Sequence, residues 1–144
     1  DKGPKPEVGH YHGFDHLVFW VGNAKQAATF YCTRFGFKPV AYRGLETGDR
    51  DYVSHVVQQN KIFYVFVSPL NPDETPLNGH LAKHGDGVRD VAFACDDVRG
   101  IFKQAVASGA RVIREPWEEQ DEHGSVIMAT LGTVKDALDF SLGL

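Results

Sequence analysis

Asp15-His16-Leu17-Val18-Phe19-Trp20-Val21-Gly22-Asn23-Ala24-Lys25-Gln26-Ala27-Ala28 decides how this chain folds. His16 to Val21 is an apolar run rich in β-forming residues, and it predicts a buried strand. Asn23 then stands where a helix N-cap belongs, with Gln26 at the capping-box position. Ala24, Ala27, Ala28, Tyr31 and Phe35 fall on one helical face, and Gly36 stops the helix. Three β-like stretches follow, Lys38 to Arg43, Tyr52 to Gln58 and Lys61 to Ser68, the last two joined by a tight turn at Gln59-Asn60.

The same order recurs further on. Val88 to Cys95 is strand-like, and Asp96 or Asp97 caps a helix. Its face is Val98, Ile101, Phe102, Ala105 and Val106, and Gly109 stops it. Strand-like stretches then run from Arg111 to Glu115, Ser125 to Leu131 and Ala137 to Leu142. Asp15-His16 aligns with Arg89-Asp90, so the chain is a βαβββ unit written twice.

One such unit buries only one face of its sheet. Two units are therefore expected to pair about a pseudo-twofold axis into a partly open, cup-shaped barrel of α+β class with the helices outside. The cup is the expected place for a ligand. The expected organisation is a flexible leader over 1–14 and a single domain over 15–144. Within that domain, module one covers 15–68, a proline-containing linker 69–87, and module two 88–144.

Composition narrows the function classes. The 144 residues fit one core rather than two. A 42% hydrophobic and 24% charged balance is that of a globular domain. The longest apolar run, Ile62 to Val67, is strand-sized, so no membrane partner is expected. Net charge is −4 with no basic stripe, which argues against nucleic acid. Cys32 and Cys95 lack C-x-x-C spacing and are expected as buried free thiols, which favours a reducing compartment and a cytoplasmic location. No secretory h-region is visible in Asp1 to Gly9.

Paired βαβββ units are similar to the vicinal-oxygen-chelate, or glyoxalase-like, superfamily. The local words are more specific. Asp15 to Ala28, Ala41-Tyr42-Arg43-Gly44-Leu45-Glu46-Thr47-Gly48, His80 to Phe93 and Arg114-Glu115-Pro116-Trp117-Glu118-Glu119-Gln120-Asp121 together resemble the amino-terminal half of the 4-hydroxyphenylpyruvate dioxygenase family. The likeness runs from about Tyr11 to Leu131. Past Thr133 that family carries a Gly-Asp-Thr-Thr-His-like word, whereas this chain reads Val134 to Leu144 without it.

The resemblance implies a parent enzyme of tyrosine and phenylalanine breakdown that converts 4-hydroxyphenylpyruvate, a small 2-oxo acid, and dioxygen to homogentisate and carbon dioxide. It implies Fe(II) held by two histidines and a glutamate in a carboxy-terminal catalytic domain that is absent here. The amino-terminal domain is then a degenerate copy, inactive alone, with no cofactor of its own. It also implies a homo-oligomer, such as a dimer.

By the same resemblance, the superfamily's ligand positions fall on His16 of the first strand and Asp90 of the fifth. On the last strand the position falls on Asp139, with Ser141 or Gly143 as alternatives. One histidine with one or two carboxylates is harder and more oxygen-rich than the 2-His-1-carboxylate set that suits ferrous iron. The competing structural role for His16 is a hydrogen bond to Asp90 across the pseudo-twofold axis.

The remaining histidines suggest less. His10 and His12 are expected in a disordered arm, and His55 on a surface or cup wall. His80 and His84 share a helix face but have no H-E-x-x-H acid. His84-Gly85-Asp86-Gly87 is expected as a turn. Phe14, Phe19, Trp20, Phe30, Tyr31, Phe63, Tyr64 and Phe66 are expected in the core or on sheet faces. A free-standing small-molecule binder using the cup is the alternative function.

Overall fold

In the computed structural model, residues 8–121, 124–132 and 139–143 are described. The elements are β1 (Tyr11–Trp20), α1 (Ala24–Phe35), β2 (Lys38–Arg43), a 3-10 turn (Leu45–Thr47), β3 (Tyr52–Gln59) and β4 (Ile62–Pro69). They continue with α2 (Pro76–His84), β5 (Gly87–Cys95), α3 (Val98–Ala107), β6 (Arg111–Asp121), β7 (Gly124–Gly132) and β8 (Asp139–Gly143). The βαβββ order is present twice, with α2 between the copies.

The strands hydrogen-bond in the order β2-β3-β4-β1-β5-β8-β7-β6, with β2 and β6 at the ends. β1 runs parallel to β4, pairing Leu17 with Tyr64 and Trp20 with Val67. The pairs β2–β3, β3–β4, β6–β7 and β7–β8 are antiparallel. A mixed sheet follows from the repeat, because the helix between β1 and the hairpin strands returns the chain in the parallel sense.

The chain divides into two compact units, His16–Asp90 and the combination of Asp1–Asp15 with Val91–Leu144. In the first, α1 lies on β3 and β4. Its core is Val21, Ala24, Ala28, Val57 and Phe66, packed by Phe19, Tyr31, Phe37 and Tyr64. Asn23 caps α1 by accepting from the Gln26 N–H at 2.9 Å, and Ser68 Oγ accepts from the Ala24 N–H at 3.1 Å. Gly36 ends the helix at φ 73°, where a side chain would be strained. Asn60 takes φ 54° in the β3–β4 turn.

In the second unit α3 lies on β6, β7 and β8. Cys95, Val98, Ile101, Ala129, Leu131 and Leu142 form its core. Of the two possible caps, Asp97 takes the role, accepting from the Gly100 N–H at 2.8 Å. Gly109, at φ 92°, follows the helix end.

Several expectations need correction. The strand expected from His16 begins at Tyr11, so residues 11–14 belong to β1 rather than to a flexible leader or disordered arm. The 69–87 stretch is more than a linker. Thr75 accepts from the Asn78 N–H at 3.2 Å, and Pro76 occupies the first turn, where its missing N–H costs nothing, so α2 forms. β6 continues past Glu115 through Pro116 to Asp121. Proline is tolerated there because β6 is an edge strand, and the register shifts between Arg114 and Trp117.

Of the aromatics expected in the core or on sheet faces, Phe14 on β1 is 74% exposed and Phe30 on α1 is 52% exposed; Phe35, on the helical face with Tyr31, is 58% exposed. Cys95 is buried and Cys32 half-buried, both as free thiols. No described helix is long and apolar enough to cross a membrane. The divergent end falls mostly outside the described residues, which resume at Asp139.

Candidate functional site

His16 lies on β1 and Asp90 on β5, both in the His16–Asp90 unit and both half-buried. They are the first and last residues of that unit. Asp139 opens β8 in the other unit, opposite Gly132 of β7, and is 6% exposed. One carboxylate oxygen of Asp90 and one of Asp139 are buried. Of the alternative last-strand positions, Ser141 hydroxyl lies 3.2 Å from that of Thr130, and Gly143 pairs with Met128.

These positions bear on whether the chain could hold iron. Among the described residues, no group of three or more His, Cys, Asp or Glu side chains is arranged to hold a metal ion. Ferrous iron of the oxygenase kind needs two imidazoles and a carboxylate on one face, and His16 is the sole imidazole at the three positions. The residues present do not fit that ion.

The cleft that the structure shows is not one that His16 or Asp90 lines. It lies between the segment entering β1 and α3, has a volume of about 520 Å³, and is lined by Val8, Tyr11, Ile101, Gln104, Ala105 and Ser108 among others. Burial, with a smaller contribution from Cys95, raises the Tyr11 phenol above its usual range. His10, the Gln104 amide and the Ser108 hydroxyl are further polar residues of the lining. Sequence periodicity identified Ile101 and Ala105 as core face, but it gave no sign that residues 8–11 would cross that helix.

Other polar side chains among the described residues are held by ring contacts and hydrogen bonds. His55 sits half-buried in β3 with its ring 4.9 Å from Tyr42. Burial, then the nearby Lys25 charge, lowers its pKa from the ordinary value. The Tyr42 hydroxyl donates to the Glu46 carboxylate, which is held below its usual range chiefly by that bond. Asp86 accepts from the Gly22 N–H at 2.9 Å, and the His84–Gly87 word joins the end of α2 to the start of β5.

The model of the glyoxalase/bleomycin resistance protein/dioxygenase superfamily matches residues 13–138. The chain belongs to that superfamily. Within it, the sequence is 57% identical over 136 residues to a 4-hydroxyphenylpyruvate dioxygenase of Xenopus tropicalis, covering 94% of this chain and 34% of the relative. The corresponding protein of Danio rerio is 55% identical over 136 residues with the same coverage. That of Caenorhabditis elegans is 50% identical over 133 residues. The chain thus spans about a third of the length of these curated relatives.

Solved structures of the superfamily agree on the fold. A mutant 4-hydroxymandelate synthase from Streptomyces coelicolor matches with TM-score 0.82 and 28% identity, over 90% of this chain and 37% of that one. A methylmalonyl-CoA epimerase from Mycobacterium tuberculosis matches with TM-score 0.71 and 15% identity, over 92% of this chain and 87% of that one. The glyoxalase-like fold expected from the βαβββ repeat is shown by these matches, with the eight strands in a mixed sheet that is not closed into a barrel.

Proposed function

We propose that this chain is the amino-terminal, non-catalytic domain of a 4-hydroxyphenylpyruvate dioxygenase-like protein. The parent reaction is conversion of 4-hydroxyphenylpyruvate and dioxygen to homogentisate and carbon dioxide, with ferrous iron held outside this chain. The observation that carries the reading is the high identity to proteins of which this chain spans only a third. The ligand positions support it, since His16, Asp90 and Asp139 do not make an iron set. The role left to the domain is architectural. It supports a carboxy-terminal catalytic partner and contributes to assembly of copies.

A chimera tests this. Joining residues 1–132 to the remainder of the Xenopus tropicalis relative should restore formation of homogentisate. The 144-residue chain given ferrous iron should form none. Turnover by the chain alone would refute the proposal.

Self-association belongs to the same proposal. Phe30, Phe35, Val40, Leu45 and Ile62 are large apolar side chains at least 48% exposed in the His16–Asp90 unit. Sedimentation showing a strict monomer at high concentration would count against a homo-oligomer.

One observation favours the second reading, a free-standing small-molecule binder. The cleft beside α3 has a volume in the range of ligand sites. A ligand that raises the melting temperature in step with its concentration would support it.

A further inference from the structure

The imidazoles of His80 and His84 face each other on the last turn of α2, with ring centres 4.7 Å apart and planes inclined by 42°. This spacing is informative. Metal–nitrogen bonds of about 2.0–2.1 Å place each ring centre about 3.2 Å from a bound ion. Two rings bound at angles between about 90° and 109° then have centres about 4.5–5.2 Å apart. The observed separation falls within that interval, so the ring spacing is compatible with a shared ion once the ring nitrogens turn toward it.

We propose that His80 and His84 form a two-imidazole site for a divalent transition-metal ion, with water completing the coordination. It uses none of the residues His16, Asp90 and Asp139 and does not depend on the parent reaction. Imidazole is the donor that copper, nickel and zinc prefer among side chains of this hardness. Histidines at i and i+4 project from one helical face, so a single element supplies both donors.

The surroundings hold that element in place. Thr75 caps α2, and the Asn78 side-chain amide donates to the carbonyls of Asn71 at 2.9 Å and Asp73 at 2.7 Å. The His80 ring packs edge-on against Trp20 at 5.1 Å, which fixes one donor. His84 is exposed, so the site opens to solvent. The helix C-terminus carries the negative end of the backbone dipole and favours a cation. Lys83 and the Arg89 guanidinium, which lies over Trp20, are the positive charges set against it. The proposal therefore predicts a modest exchangeable site, not a permanently loaded one.

Copper(II) chloride titrated into the 144-residue protein is the probe, since copper leads the affinity order for such donors. Calorimetry should give one site per chain, and electron paramagnetic resonance should show nitrogen ligation. His84→Ala should weaken binding at least tenfold, and His80→Ala should do the same. The double variant His10→Ala/His12→Ala should leave this site unchanged. Circular dichroism on each variant checks that α2 is retained. Binding unaffected by His84→Ala in a folded protein, or lost with His10 and His12 instead, would overturn the proposal.

Discussion

The His10 N–H donates to the Asp96 carboxylate at 2.7 Å, and the Asp96 N–H donates back to the His10 carbonyl at 3.2 Å. This reciprocal pair fastens the entry of β1 to the loop that opens α3. The glycines on either side fit the same crossing. A Cβ on Gly9, which sits at φ 70°, would lie 2.5 Å from Ile101 Cγ1, and one on Gly100 would lie 2.5 Å from Val8 Cγ1.

Gly100 tests that crossing through a stabilisation that should be missing. In an open helix, Gly→Ala stabilises by about 1 kcal/mol. Here the added methyl meets Val8 and displaces the Asp97 cap, whose loss costs about 1 kcal/mol. Gly100→Ala should therefore fail to stabilise in urea denaturation. A gain of the full helical increment would mean that Val8 does not press on α3.

Ser68 tests how α1 is anchored. Its hydroxyl, 3% exposed, accepts from the Ala24 N–H. Ser68→Ala leaves that buried donor unsatisfied and should cost about 1–3 kcal/mol. An effect below a few tenths of a kcal/mol would remove Ser68 from the anchoring of the helix.

The α1 boundaries were legible because their causes are local: Asn23 supplies a cap and Gly36 a left-handed stop. What the sequence concealed depends on neighbours. Tyr11 to Phe14 looks like a leader because Gly13 interrupts it, yet the ring of Phe93 meets both Tyr11 at 5.7 Å and Phe14 at 5.0 Å. Phe35 has the right helical phase but closes α1, where it meets Phe30 at 5.6 Å and Tyr31 at 5.5 Å and stays 58% exposed. Prolines misled in opposite ways. Pro76 starts a helix where a linker was expected, and Pro116 stays in a strand because edge strands leave one N–H side unused. The positions His16, Asp90 and Asp139 were reachable through family resemblance alone, since nothing in their spacing announces a site.

The two thiols should separate by reactivity. Burial pushes the Cys95 thiol up, with the Asp96 and Asp97 charges raising it further and a backbone hydrogen bond at Gly143 opposing them. Cys32 is half-buried. Iodoacetamide at neutral pH should label Cys32 first and Cys95 only as fast as the protein opens, read by peptide mass spectrometry. Equal rates would contradict the buried position of Cys95.

Asp49 should make part of the stability acid-labile. Its carboxylate accepts from the N–H groups of Tyr52 and Asp51 and pairs with Arg43 at 3.0 Å. Those hydrogen bonds, the Tyr52 one first, lower its pKa from 3.8. A depressed carboxylate stabilises above its unfolded pKa and loses that stabilisation as pH falls through the folded value. Asp49→Asn should be less stable than the parent chain at pH 7, and the difference should shrink below about pH 3.8. A gap that stays constant from pH 7 to pH 2 would exclude ionisation as the source.

Anaerobic ferrous iron titration of the 144-residue chain, compared with His16→Ala and His84→Ala variants, addresses the central claim most directly. The account predicts no stoichiometric iron that depends on His16, with any weak divalent binding following His84 instead. One tightly held ferrous ion per chain that disappears in His16→Ala would contradict it.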